Sequence, residues 1–274
     1  MPTEMGSGRI LITGASAGIG AVYADRLAKR GHALMLVARN GEKLRDLAQG
    51  LIRETGVSVE VLAADLGNRA ELAGVEERLR DDAQITGLIN NAGMAGEGPF
   101  ASADPDHLER VIQLNVMTVT RLAAAAAPRM ARQRRGLIVN IASVTALMPA
   151  AFTAVYPATK AFVLAFSEAL HAELSPKGVR VQAVLPGITQ TAIWDEQRLA
   201  QIPSEMVMEV GDMVDAALAG LDLGEAVTIP SLPDLKDWTA FLAGREALGP
   251  QLSLRKPAAR YITQGKFEIQ GRSS

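Results

Sequence analysis

Arg9-Ile10-Leu11-Ile12-Thr13-Gly14-Ala15-Ser16-Ala17-Gly18-Ile19-Gly20 is the stretch that decides the fold. Arg9 to Thr13 is a short β-rich run without alternation, the pattern of a strand buried on both faces of a parallel sheet. The glycines follow at once, and Ala21 to Arg30 then reads as a helix stopped by Gly31. Strand, glycine turn, helix is the order in which such glycines have a physical purpose. They permit a tight turn and close backbone approach, and the helix N-terminus offers unpaired N–H groups to a phosphate. Gly14, Ser16, Gly18, Ile19 and Gly20 are the candidates for that contact. An ordinary βα turn would also carry glycines, so the turn alone leaves both readings open.

The alternation continues outward from this unit. Ala33–Ala38 reads as a second strand, Val57–Ala64 as a third, Thr86–Ile89 as a fourth, Leu137–Ile141 as a fifth, Val179–Leu185 as a sixth and Ala226–Ile229 as a seventh. Between them lie helical stretches: Gly41–Thr55 with Leu44, Leu47, Leu51 and Ile52 on one face, Asn68–Asp82 with Asn68 as N-cap, and a long one over Pro105–Arg134 in which Pro128 kinks or ends the regular part. This order predicts an α/β fold: a Rossmann-type, doubly wound parallel sheet of about seven strands with helices on both faces, in one domain over 9–230. Residues 1–8 read as a disordered tail, about 188–212 as a substrate loop, and 231–274 as a C-terminal extension of unclear role. In such sheets ligands sit beyond the carboxyl ends of the strands. Thr13, Arg39, Asp65, Asn90, Asn115, Ser143 and Pro186 all fall at or near such places.

Composition narrows the function. Hydrophobic residues make up 48% of the 274, enough for a large core, and aromatics only 4%, so that core is aliphatic. A net charge of −2 gives no electrostatic case for nucleic acid or an anionic membrane. The chain has no Cys, which excludes disulfides, thiolate nucleophiles and Cys-ligated metals. His32, His107 and His171 stand in separate contexts, so no metal site is expected and Ser143 has no obvious base for hydrolase chemistry. No run of about 18 apolar residues suggests a membrane span, and no secretory signal is visible. A cytoplasmic protein is the expectation.

Arg39 follows the second strand, where a βαβ unit faces the adenosine ribose. A carboxylate there would bind the 2′-hydroxyl of NAD, whereas an Arg accommodates the 2′-phosphate of NADP. The sequence has Ala38-Arg39, which favours NADP(H) over NAD(H), although a solvated surface Arg is also common at a strand end. Tyr156-Pro157-Ala158-Thr159-Lys160 places a phenol and an amine one helical turn apart. A nearby ammonium lowers a phenol's pKa, and a phenol so tuned serves as a general acid or base. Tyr-x-x-x-Lys by itself also arises by chance. Asn115, among Val111, Ile112, Leu114 and Val116, needs a partner if buried. It is either a satisfied core residue or the holder of a water and a kink. The segment from Ala192 to Met208, with Trp194 and Met206, reads equally as a lid or as core filling.

Taken together these motifs resemble the short-chain dehydrogenase/reductase family over about Arg9 to Ile229. Thr13 to Gly20 resembles its cofactor turn, Asp65-Leu66 its adenine contact, and Asn90-Asn91-Ala92-Gly93 the end of its fourth strand. Asn115, Ser143, Tyr156 and Lys160 match its catalytic tetrad; Pro186-Gly187 and Thr191 resemble its nicotinamide-side loop. Pro157 departs from the Ser often found there, and Ala17 from the basic residue of many NADP-using members.

The resemblance implies hydride transfer between a nicotinamide and a carbonyl or alcohol carbon. Tyr156 would be the acid or base, Lys160 would stabilise phenolate and bind the ribose, Ser143 would hydrogen-bond the carbonyl oxygen, and Asn115 would hold a water. Cofactor contacts are expected from Gly14, Ser16, Gly18, Ile19, Gly20, Arg39, Asp65, Leu66, Asn90, Ala92, Gly93, Tyr156, Lys160, Pro186, Gly187, Ile188 and Thr191. Met94, Pro149, Trp194 and Met206 would line an apolar pocket for a hydrophobic ketone or aldehyde. The long helices Pro105–Arg134 and Val155–Leu174 imply a homodimer or homotetramer. The alternatives are a nucleotide-binding sensor or structural protein without turnover, and an isomerase or lyase on the same fold.

Overall fold

A computed structural model describes residues 8–96, 98–191 and 200–262. Residues 1–7 of the expected tail, Trp194 and the central part of the substrate loop lie outside the described residues. The chain divides into two compact units, Met1–Ser231 and Leu232–Ser274.

The first unit is built on a seven-stranded sheet, with every pairing parallel. Its strands are β1 (Arg9–Thr13), β2 (Leu34–Ala38), β3 (Val59–Ala63), β4 (Ile85–Asn90), β5 (Gly136–Ile141), β6 (Val179–Val184) and β7 (Val227–Thr228). Their order is β3-β2-β1-β4-β5-β6-β7. The chain winds from β1 outward through β2 to β3, then returns to place β4 on the other side of β1. A crevice opens at that reversal, beyond the carboxyl ends of β1 and β4.

Successive side chains of a strand face opposite ways, so a doubly covered strand must be apolar throughout. Ile10 and Ile12 belong to one core with Tyr23, Leu27, Leu44 and Leu218, whereas Leu11 belongs to the other with Leu72, Leu79, Leu122 and Met130. Helices α1 (Gly18–Lys29), α2 (Gly41–Thr55) and α7 (Val210–Leu223) supply the first core. Helices α3 (Arg69–Asp81), α5 (Val119–Gln133) and the end of α6 (Val155–Leu174) supply the second. Asn68 caps α3, its side chain accepting from the N–H groups of Ala70 and Glu71. Among the described residues no helix is long and apolar enough to cross a membrane.

Two differences from the sequence reading bear on the site. The stretch Pro105–Arg134 is not one helix. It is α4 (Pro105–Ile112), a π-helical turn over Gln113–Thr118, and α5. The widening falls around Asn115, where a polar side chain diverts the helix toward a partner. Pro128 lies inside α5, which runs on to Gln133. Helix α6 starts at Val155, so Pro157 stands in its first turn, where the missing N–H costs no intrahelical bond.

The second unit carries α8 (Leu235–Ala247), capped by Asp234, a 3-10 turn at Gly249–Gln251 and a short α9 (Ala259–Ile262). Trp238 and Phe241 stack within α8, 5.2 Å between ring centroids.

Candidate active site

A cleft of about 750 Å³ opens at the sheet reversal. Gly14, Ser16, Ala17, Gly18 and Ile19 form its floor; Ala38, Arg39 and Asn40 one rim; Asp65 and Leu66 another; Asn91 to Met94 and Thr191 its inner end. Clefts of this size suit a bound small molecule or cofactor.

The floor is shaped by three residues acting on each other. Thr13 Oγ1 donates to the Ile89 carbonyl at 3.2 Å and accepts from the N–H groups of Asn91 and Ala92 at 2.9 and 3.0 Å. Asn91 Nδ2 in turn donates to the carbonyls of Thr13 and Gly14 at 2.9 and 3.2 Å. These bonds lock the turn after β1 to the turn after β4. Gly14 has φ +65°, and a Cβ there would stand 2.8 Å from Asn91 Nδ2. A Cβ on Gly20 would stand 2.5 Å from the same atom. Ala17, the N-cap of α1, gives no side-chain cap, so the first N–H groups of that helix face the cleft unspent. Bare backbone donors, a positive dipole end and the Arg39 guanidinium fit an anionic dinucleotide.

Beyond the inner end stand the four polar residues singled out in the sequence. Asn115 is buried. Its Oδ1 accepts from Met94 N–H at 2.9 Å, and its Nδ2 donates to Met94 O at 2.9 Å and to Thr159 Oγ1 at 3.1 Å. Thr159 donates to the Tyr156 carbonyl at 2.7 Å. Asn115 therefore fastens the loop after β4 to the first turn of α6. A Cβ on Gly93 would lie 3.1 Å from Asn115 Oδ1 and 3.6 Å from Lys160 Nζ, so a side chain there would press on Asn115. Ser143 sits just after β5 and caps a 3-10 turn, its Oγ accepting from Thr145 N–H at 3.2 Å. The Ser143 hydroxyl also lies beside the Tyr156 phenol, where it favours the phenolate.

Lys160 is buried, and its Nζ donates to the Ile141 carbonyl at 2.9 Å. Burial pushes its amine down to about 8. Burial pushes the Tyr156 phenol up, opposed by the Ser143 hydrogen bond. The sequence reading expected the ammonium to lower the phenol. The amine instead stands over the ring, 5.7 Å from its centroid, with a donor committed to Ile141, so desolvation prevails.

The remaining expected residues divide. Asp65, Leu66, Ala92, Gly93, Met94 and Thr191 line the cleft with the glycine turn and Arg39. Asn90 turns into the sheet, donating to Asn140 Oδ1 at 2.9 Å; Asn140 donates to Ser167 Oγ at 2.8 Å. Pro186 accepts from Val144 N–H at 3.0 Å, which holds the loop after β6 against the Ser143 turn. Gly187 accepts from the Thr189 hydroxyl, and Ile188 accepts from Met208 N–H. Pro149 is exposed in a 3-10 turn flanked by the exposed Met148 and Phe152, and Met206 is exposed in another. Asn91 and Arg110 line the cleft and were not singled out as site residues. Asn91 lay within the quoted motif, whereas nothing in the sequence around Arg110 points to the cleft.

A family model described as short chain dehydrogenase matches residues 9–202. The chain belongs to this family. Among solved structures, a short-chain dehydrogenase from Sphingobium yanoikuyae in complex with NADPH is 50% identical with a TM-score of 0.88, over 93% of this chain and 100% of that one. A bulky-bulky ketone specific alcohol dehydrogenase from Comamonas testosteroni is 45% identical with a TM-score of 0.87, over 93% and 98%. Among curated short-chain relatives, the very-long-chain 3-oxoacyl-CoA reductase of Anas platyrhynchos is 37% identical over 64% of this chain and 58% of its own length. The human 17-beta-hydroxysteroid dehydrogenase type 3 is 37% identical over 67% and 59%. The chain thus spans about three-fifths of these curated relatives.

Proposed function

We propose that this protein is an NADP(H)-dependent oxidoreductase that reduces bulky apolar ketones. The observation that carries the reading is the placement of Tyr156, Ser143 and Lys160 directly beyond the inner end of a cleft floored by unspent backbone donors. When bound there, the nicotinamide supplies the hydride; the rest of the work falls to this chain's side chains. The Gly14–Gly20 turn would hold the pyrophosphate, and Arg39 the 2′-phosphate. The Tyr156 phenol, kept protonated by burial, would give its proton to the carbonyl oxygen. Ser143, beside that phenol, would donate to the same oxygen as charge develops on it. Lys160 would hold positive charge beneath the ring. Asn115 would position the Met94 loop and the start of α6.

The substrate class rests on the exposed apolar side chains that lie between Ser143 and Tyr156 in the chain, Met148 and Phe152, and on the names of the relatives, which act on ketone, oxoacyl and hydroxysteroid substrates. A homodimer completes the reading: Ile112, Met117 and Phe162 stand exposed on α4, the π turn and α6, three elements that pack against one another. A monomeric mass at working concentration would refute that part.

The test is calorimetric binding of NADPH and NADH to the wild type and to Arg39→Ala, followed by a carbonyl screen with NADPH. Preferential NADPH binding that Arg39→Ala abolishes, with turnover of bulky ketones, supports the proposal. Tight NADPH binding without turnover of any carbonyl would leave a nucleotide-binding protein in its place.

A further inference from the structure

Arg110 stands on the wall of the cleft, far along the sequence from every motif of the cofactor turn. It belongs to α4, and Leu114 follows it by one turn on the same face, with Gln113 beside it. All three line the cleft. The facing rim is Asp65 to Asn68, and the π turn is tied to that rim, Thr118 Oγ1 donating to the Leu66 carbonyl at 3.1 Å. The cleft is thus chemically divided. Its floor offers N–H groups and a dipole, suited to phosphates. This other part is lined by Leu66 and Leu114, with Asp65 and Gln113 next to them in the chain, a more apolar lining suited to a heteroaromatic base.

Arg110 overlooks the second part. Its side chain is 59% exposed, and Nη2 lies 3.5 Å from Oδ2 of Asp104, itself 60% exposed. That pair is long and solvated, and is worth little. Asp104 already has a task, capping α4 through Asp106 N–H at 3.1 Å. The guanidinium is therefore held near the cleft mouth by a contact it can leave at little cost. A planar, weakly hydrated cation beside an aromatic base stacks on its face.

We infer that Arg110 closes the adenine end of the cleft, its guanidinium stacking on the base, so that it contributes affinity for adenine dinucleotides irrespective of the 2′-phosphate. This rests on the reading of the cleft as a dinucleotide site, and it assigns Arg39 and Arg110 different work. Arg39 discriminates NADPH from NADH; Arg110 holds both.

The experiment is calorimetric Kd measurement for NADPH and NADH on the wild type, Arg110→Ala, Arg110→Lys and Arg39→Ala. The expected result is a loss of about fivefold for both nucleotides in Arg110→Ala, with the NADPH/NADH ratio kept. Arg110→Lys should behave like Arg110→Ala, because a lysine keeps the charge and lacks the plane. Arg39→Ala should collapse the ratio. A loss confined to NADPH in Arg110→Ala would mean that the guanidinium reads the 2′-phosphate, and overturns the inference. So would full rescue by lysine, or unchanged affinities in both variants. A wild type that binds neither nucleotide overturns the dinucleotide reading itself and this inference with it, a result distinct from the other three.

Discussion

The amine of Lys160 stands over the ring of Tyr156, 5.7 Å from its centroid, and spends a hydrogen bond on the Ile141 carbonyl rather than on the phenol. Burial of a cation that is only partly compensated costs stability. The amine is held at about 8 against an ordinary 10.5. Between those values the unfolded chain binds more protons than the folded one, so stability rises with pH through that window. Below about pH 8 the full penalty is present, on the order of 3 kcal/mol. Lys160→Met is therefore expected to abolish turnover and raise the thermal midpoint at pH 7, with the gain shrinking toward pH 10. Thermal unfolding of both proteins from pH 6 to 10 checks this; a variant less stable at pH 7 would refute it.

The same two groups predict opposite pH profiles for the two directions. Reduction needs a protonated phenol, and burial holds Tyr156 above its usual range, so the acid is present throughout neutral pH. Lys160 loses its charge above about 8. Carbonyl reduction should be level below pH 8 and decline above it, while alcohol oxidation, which needs phenolate, should rise over the same interval. Tyr156→Phe should lower kcat by roughly 10²–10⁴ in both directions, with NADPH affinity little changed. Ser143→Ala should lower it by roughly 10²–10³ and, through the lost hydrogen bond, move the rise in oxidation to higher pH. Initial rates in both directions over pH 6 to 10 decide the matter.

Asn115 makes a third case, in which position rather than proton transfer is at stake. Its amide satisfies both backbone groups of Met94 and the Thr159 hydroxyl. Asn115→Leu leaves the part-buried Met94 N–H and C=O without these partners, at up to about 1–3 kcal/mol each. The variant should unfold at lower denaturant and lose kcat, whereas Asn115→Asp, which keeps the acceptor for Met94 N–H, should fall between. Equal stability of Asn115→Leu and wild type would show that the loop finds other partners.

Much of this architecture was legible because it is periodic. The seven strands and the glycine turn announce themselves in aliphatic runs such as Ile10-Leu11-Ile12 closed by Thr13-Gly14. The π turn did not. Leu114 and Val116 fit an α-helix as well as a wider one, and one extra residue per turn leaves no mark on a hydrophobic pattern. Asn115 was the single signal, and its partner, the Met94 backbone, lies in a loop whose path depends on tertiary packing. Adjacent residues of an extended chain face opposite ways. That Asn90 enters the sheet and Asn91 the cleft follows from register, which composition does not encode. Arg110 reaches the cleft only through the placement of α4, and Tyr156 departs from the expected direction because desolvation depends on neighbours remote in sequence.

Asn91 offers the last prediction, because it separates building the nucleotide floor from touching the chemistry. Its Nδ2 donates to the Thr13 and Gly14 carbonyls, and its N–H donates to Thr13 Oγ1. Asn91→Ala retains the backbone bond and removes the two side-chain bonds that hold the turn after β1. Losing about 1.4 kcal/mol of that organisation corresponds to about tenfold in Kd. Weaker binding of NADPH and NADH alike is expected, with kcat at saturating nucleotide close to wild type, since the variant leaves Tyr156, Ser143 and Lys160 in place. Gly14→Ala should be worse: the new Cβ meets Asn91 Nδ2 at 2.8 Å, and φ is +65°, where a side chain is strained. The pair Gly14→Ala and Asn91→Ala should recover only part of that loss, because removing the amide clears the nearest contact and leaves Ala92 Cα at 3.0 Å and Ala92 N at 3.1 Å from the new Cβ. A double variant as weak as the sum of the singles would show that the positive φ and the Ala92 backbone, not the meeting of these two side chains, demand glycine at position 14.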